Sequence, residues 1–265
     1  MSSVFKINES TGRSELNEID RSARGPALVF IAAGTLWLIV STCLALIASF
    51  KLHTPDFLGQ CEIFTYGRVY PAATNTFIYG WGINIGLAVG LWIMARLSHS
   101  KIHRNGSMVV AAVFWNIGVL LGTVGILKGD SLGVGWMEFP SYVMPLLFIA
   151  YLVIGVAGVS IFRHRATKQS YVSQWLILAA FFSFPWLSAV AQLMLVCEPT
   201  RGVMQSITSA WYMSSLNGLW FIALGLAGLY YMVPKVLGSR FHYYKLMSIG
   251  FWSLIVSTSF SGGSY

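Results

Sequence analysis

Charge is what this sequence has least of. Asp, Glu, Lys and Arg make up 10% of the 265 residues, where a soluble domain carries about 25%. A chain so poor in charge cannot give a globule an ordinary solvated exterior, and 56% hydrophobic residues are far too many for a disordered segment. Cysteine is scarce as well. Cys43, Cys61 and Cys197 form no CxxC pair and no dense framework, so neither a zinc site nor a disulfide scaffold is read from them. Alternating segments of about ten residues are missing, which argues against a β-barrel. No internal repeat or low-complexity tract is present, and no small-residue cleavage site follows the first apolar run. Residues 1–25 are therefore read as a solvated tail, helical around Ser14–Ile19.

What the sequence does have is long apolar runs. A hydrocarbon core of about 30 Å takes about 20 apolar residues as helix, and seven stretches suffice: Pro26–Phe50, Thr74–Leu97, Ser107–Leu127, Pro140–Phe162, Tyr171–Val196, Trp211–Val233 and Leu246 to the end. The fold class is thus all-α, a polytopic transmembrane helix bundle of seven spans in one domain, 26–265. The net charge of +8 could signal nucleic acid, but the Lys and Arg lie in short clusters between spans. Thirteen fall in the tail (Lys6, Arg13, Arg21, Arg24) and in loops carrying Arg96, Lys101, Arg104, Arg163, Arg165, Lys168, Lys235, Arg240 and Lys245. The alternate loops hold four: Lys51, Arg68, Lys128 and Arg201. This asymmetry places the N-terminus in the cytoplasm, with the bilayer, not nucleic acid, as the basic residues' partner. The last run stops without a charged exit loop, as though shortened from a longer ancestor.

No side chain charged at pH 7 falls inside the core of any of these runs, Arg96 standing at the very end of the second, and no histidine does. His53 follows the first span, and His99, His103, His164 and His242 sit in the basic loops. Intramembrane ionisable groups mark ion pathways and cofactor sites; their scarcity weakens a carrier or pump, and a metal or haem has little to bind. Cys43 reads as a small apolar filler. Gly82, Gly86 and Gly90, and Gly118 with Gly122, recur every four residues and allow close helix approach. They would serve either a partner interface or, preferably, packing within the bundle. Pro145 and Pro185 would kink the fourth and fifth spans. Tyr70, Trp136, Phe139, Tyr142, Tyr171, Trp211, Tyr230 and Tyr231 read as interfacial belts. Asn75, Asn84, Asn116, Gln174, Gln192 and Asn217 can bond across helices.

Three segments carry a family resemblance. Tyr66-Gly67-Arg68-Val69-Tyr70-Pro71-Ala72-Ala73-Thr74-Asn75, followed by Ile78-Tyr79-Gly80-Trp81-Gly82-Ile83-Asn84, is similar to R-x-x-P-x-H-T-N and F-G-W-G-x-N. Trp211-Tyr212-Met213-Ser214-Ser215, with Tyr230-Tyr231-Met232-Val233-Pro234-Lys235, is similar to W-Y-G-H-N and Y-Y-F-V-P-K. Tyr244–Ile255 is similar to S-Y-R-L-S-x-x-H-F-W-A-L-I. In this order they resemble the first seven helices of subunit I of the cbb-type haem–copper cytochrome c oxidases, about the first half of a twelve-helix subunit.

The departures from that pattern bear most on function. The resemblance puts the low-spin haem ligand on Ala73, the first copper-ligand histidine on Ser214, the paired copper ligands on Ser264 and Tyr265, and the active-site tyrosine on Thr258. Alanine has no lone pair and a serine hydroxyl is a poor substitute for imidazole. The resemblance therefore implies a non-catalytic structural or assembly subunit of a bacterial respiratory complex in the inner membrane. It would bind no cofactor itself, haem and copper belonging to partner subunits such as a c-type cytochrome. Two alternatives stay open: the N-terminal fragment of a split oxidase, whose missing C-terminal half is another chain, and a quinone- or lipid-binding protein using Ser214, Ser215, Asn217 and Thr258.

Overall fold

In the computed structural model, residues 2–102, 105–166, 170–197, 200–238 and 244–260 are described. They form the helices α1 (Ser2–His53), α2 (Tyr66–Asn75), α3 (Ile83–Ser98), α4 (Asn105–Lys128), α5 (Met144–Arg163), α6 (Val172–Gln192), α7 (Val203–Leu216), α8 (Ala223–Leu237) and α9 (Tyr244–Phe260), with no strand among the described residues. Wider π turns, Thr76–Gly82 and Asn217–Ile222, join α2 to α3 and α7 to α8, and a third, Leu193–Cys197, extends α6. Six helical segments are long and apolar enough to cross a membrane: Ser14–His53, Tyr66–Ser98, Gly106–Lys128, Met144–Arg163, Val172–Val196 and Val203–Leu237. The seventh run forms the 17-residue α9.

Two expectations need correcting. The polar segment ahead of Pro26 is no detached tail; it continues α1 without a break. From residue 14 on, this part is anchored: Ile19 and Ala23 are buried, Asp20 pairs with Arg96 and accepts from the Trp92 indole at 3.1 Å, Glu18 pairs with Lys101, and the Ser22 hydroxyl accepts from the Ile102 amide at 3.1 Å. Asp20 and Glu18 thus find partners at the end of α3, while Arg21 and Arg24 stay exposed. Pro145 does not kink a span either. It lies in the first turn of α5, where its missing N–H has no helical partner to lose; Pro185 does lie inside α6.

Side-chain size decides the packing. Along α1, Ala23, Phe30, Trp37 and Leu44 are buried while their neighbours face outward, the narrow seam of a helix touching its partners along one edge. That edge runs along α2 and α3. At Gly80 an added Cβ would stand 2.6 Å from Trp37 Cγ, so the indole can lie there only against a bare backbone. The two glycine rows serve the chain's own bundle. Gly82 faces Phe221, Gly86 faces Trp220, and Gly90 faces Leu224 and Phe181, while Gly118 faces Leu147 and Gly122 faces Phe139. Phe139 and Tyr231, read as belt residues, are buried: Phe139 fills the notch at Gly122, and Tyr231 takes the Lys235 ammonium over its ring at 3.9 Å. Cys43 faces outward.

Polar groups tie these helices together. The Trp37 indole donates to Asn116 Oδ1 at 2.8 Å, and the Asn84 and Asn116 amides exchange hydrogen bonds at 3.1 and 3.2 Å, joining α1, α3 and α4. Gln174 donates to the Ser98 hydroxyl at 3.0 Å. Interhelical bonds in a bilayer average about 0.6 kcal/mol and reach about 1.7, so Asn116→Leu, which strands the Trp37 indole and Asn84 Oδ1, should cost about 1–2 kcal/mol. Unfolding in mixed detergent micelles measures this, and the Asn84→Leu/Asn116→Leu pair should cost less than the sum of the single changes because they share one contact.

Candidate functional site

The π turn Thr76–Gly82 carries Tyr79 into the centre of the bundle. A π turn inserts one residue into the helical repeat, and each residue turns the helix by about 100°, so the faces of α2 and α3 are offset. Tyr79 is buried and its hydroxyl lies 2.7 Å from that of Tyr212 on α7 and 2.6 Å from the Trp136 carbonyl. A carbonyl only accepts, so Tyr79 donates to Trp136 and Tyr212 donates to Tyr79. The Trp115 indole donates to the Tyr79 carbonyl at 3.0 Å, and the Trp220 indole donates to the Tyr151 hydroxyl at 2.9 Å. Phe184 packs among them, its ring 4.3 Å from that of Tyr151 and 5.8 Å from that of Trp115. Buried Tyr and Trp need partners for their polar tips, and each of these has one.

A cavity of about 380 Å³ abuts the tyrosine pair between α5 and α6, with Ser141, Pro145 and Ala189 at its exposed mouth and Leu147, Phe184 and Tyr212 at its floor. Gln192 Nε2 on its wall is buried without a hydrogen-bond partner among the described residues. The residues of the expected small-molecule cluster, Ser214, Ser215, Asn217 and Thr258, lie on α7, the π turn after it and α9. Ser215 donates to the Thr258 carbonyl at 3.3 Å, the Trp211 indole donates to the Ser259 carbonyl at 3.2 Å, and the Thr258 hydroxyl is turned back onto Leu254 at 2.6 Å. The Thr258 side chain covers Gly218, while Asn217 faces outward instead of bonding across the bundle.

Ala73 lies apart from that cluster, in α2 against α1. Its side chain is buried and its carbonyl accepts from the Ser41 hydroxyl at 2.9 Å. Ser214 is half-buried on α7. Ser264 and Tyr265 lie outside the described residues, as do His103 and His242; His53, His99 and His164 are exposed near helix ends. Asn75, two residues after Ala73, donates from one amide nitrogen to Pro71 at 2.8 Å and to Glu138 Oε2 at 2.5 Å. Glu138 was no candidate from the sequence, since it sits in the loop between α4 and α5. Its only sequence signal is a carboxylate immediately before the apolar Phe139-Pro140.

These elements define a class: a polytopic all-α membrane bundle whose second and sixth spans are each opened by a π turn and meet through two tyrosines. The chain belongs to the cytochrome c and quinol oxidase polypeptide I family, whose profile matches residues 25–264. It is 24% identical over 245 residues to the cytochrome c oxidase subunit 1 homolog of Agrobacterium tumefaciens, covering 88% of this chain and 44% of that protein. It is 25% identical to the cytochrome c oxidase subunit 1 of Rhodobacter capsulatus (85% and 44%) and 21% identical to the cbb3-type cytochrome c oxidase subunit CcoN1 of Stutzerimonas stutzeri (88% and 50%). The chain spans about half the length of these relatives.

The family binds haem and copper; at the described positions where the resemblance places their ligands, the residues present do not fit them. Ala73 offers no lone pair, the Ser214 hydroxyl is a weak ligand for iron or copper, and no group of three or more His, Cys, Asp or Glu able to hold a metal occurs among the described residues.

Desolvation of the partly buried Glu138 raises its carboxyl above the ordinary range, opposed in part by the Asn75 amide and by backbone donors. A raised folded-state pKa means that folding favours the protonated acid. The contribution is fully present below the unfolded pKa and is lost as pH rises through the folded one. Stability in detergent should therefore fall over that window in the wild type, and the fall should be smaller in Glu138→Gln; thermal unfolding as a function of pH checks it.

Proposed function

We propose that this chain is a non-catalytic scaffold or assembly subunit of a respiratory membrane complex, built on the N-terminal half of an oxidase subunit I and ligating neither haem nor copper. In this reading it has seven spans with the N-terminus in the cytoplasm, lies in a bacterial inner membrane, and packs beside partner subunits that carry the redox groups, a c-type cytochrome among them. One observation carries the reading: where the family resemblance places imidazole ligands, the side chains are those of Ala73 and Ser214, while the surrounding helices hold a hydrogen-bonded core of tyrosines and tryptophans. Loss of ligands beside an intact core fits a protein retained for its shape.

A second reading has its own support in the match to about half of each relative. The chain would be one piece of a split subunit, completed by a second polypeptide that supplies further spans. Its copper site would still lack a ligand at Ser214.

The two readings separate on purification. With the complex isolated from native membranes through a tag on this chain, haem content is read from reduced pyridine-haemochrome spectra and copper from mass spectrometry. The expected result is haem and copper that follow partner polypeptides and leave with them when the complex is dissociated in mild detergent. Haem remaining on this chain overturns the scaffold reading; a co-purifying polypeptide of about five spans, needed for any haem or copper to be retained, turns the assignment to the split subunit.

A further inference from the structure

A groove of about 670 Å³ runs between α1 and α3, and its chemistry changes along its length. On the α1 wall Arg21, Arg24, Leu28 and Ile31 follow one another at three- and four-residue spacing, so they form a single stripe. Arg21 and Arg24 are exposed at one end, and Leu28 and Ile31 are exposed at the other. Val89 and Trp92 stand on the α3 wall, and Ala23, Ala27 and Ala88 are the small residues between the walls. Small side chains there leave the trough open, and long ones on either side give it walls.

The charges in the groove do not cancel. Asp20 lines it too, but its carboxylate is spent on Arg96, which donates from Nε at 2.7 Å and from its terminal nitrogen, and on the Trp92 indole. The other ion pair among the described residues is Glu18 with Lys101. Neither pair uses Arg21 or Arg24, so two guanidiniums one turn apart stand over an apolar trough that continues along α1 to Ile31.

We propose that this groove binds one anionic glycerophospholipid, its phosphate held by Arg21 and Arg24 and the start of an acyl chain lying along Leu28, Ile31 and Val89. Guanidinium is the side chain best suited to phosphate, because its planar fork donates two parallel hydrogen bonds. A basic pocket between helices, opening onto apolar surface at the level of the headgroups, is the arrangement that recognises anionic lipid. A zwitterionic lipid carries a choline or ethanolamine cation for which the groove has no free carboxylate. The proposal is independent of whether the chain acts as a scaffold, since it concerns a lipid contact and no redox group.

The test is native mass spectrometry of the full-length chain released from detergent with added phosphatidylglycerol or phosphatidylcholine. One phosphatidylglycerol should be retained at low lipid concentration and phosphatidylcholine should not. Two Lys or Arg near a membrane surface contribute about 1 kcal/mol each toward anionic lipid, so Arg21→Ala/Arg24→Ala should weaken retention roughly tenfold or more, and Arg21→Lys/Arg24→Lys should recover part of it. Ala88→Leu, which fills the trough and leaves both charges, should also weaken retention, whereas inorganic phosphate at millimolar concentration should not displace the lipid. Helix content and thermal transition identify variants that have failed to fold. Equal retention of both lipids, no change in the double Ala variant, or displacement by inorganic phosphate alone would each overturn the proposal.

Discussion

Polar groups inside a bilayer have no water to fall back on, and that constraint organises this bundle. Trp37, Asn84 and Asn116 satisfy one another across three helices, and Tyr79 and Tyr212 do so across two more, with Trp136 taking the terminal proton of the chain. Each bond is worth little by itself. Their effect is selective: a rotated or shifted helix would leave several donors unpaired in hydrocarbon, at several kcal/mol each. The network therefore fixes register more than it adds stability. Apolar packing supplies the contact area, through notches at Gly80, Gly86 and Gly122 that admit Trp37, Trp220 and Phe139.

The π turns determine which side chains share a face. Without the offset at Thr76–Gly82, the buried face of α2, which ends in Asn75 and its bond to Glu138, would not be joined to a residue aimed at Tyr212. The matching offset at Asn217–Ile222 presents Gly218 to Thr258 and Trp220 to Tyr151. An inserted residue leaves the helix unbroken and changes what each half faces, which is how two irregular spans can meet through a hydrogen-bonded core. The expected ligand positions fall on either side of this core. Ala73 lies against α1, and Thr258 lies against the α7–α8 junction.

Much of the architecture was legible in the chain. Apolar runs give the spans because length and composition alone meet the bilayer's demand, and the fourfold glycine spacing foretells close contacts that turn out to lie within the bundle. Asn84 and Asn116 were recognisable as cross-helix partners because polar amides at depth must find each other. The π turns were not legible, since an inserted residue has no compositional signature. The Tyr79–Tyr212 pair is separated by 133 positions, and local pattern cannot report such a contact. Tyr231 and Phe139 were misplaced because an aromatic at a span end reads as a belt residue until its neighbours are known. The segment before Pro26 read as solvated because charge usually means water; here Asp20 and Glu18 meet Arg96 and Lys101. Glu138 went unnoticed for a related reason, being a loop residue folded inward to Asn75.

The proposed scaffold role stands or falls on whether any imidazole of this chain reaches a metal, since the family resemblance places its ligand histidines at Ala73 and Ser214. The direct measurement is electron–nuclear double resonance on the native complex assembled with this chain alone carrying ¹⁵N-labelled histidine. The account predicts no ¹⁵N coupling to any iron or copper centre. A resolved ¹⁵N coupling at either metal would mean that an imidazole of this polypeptide is a ligand, and would contradict it.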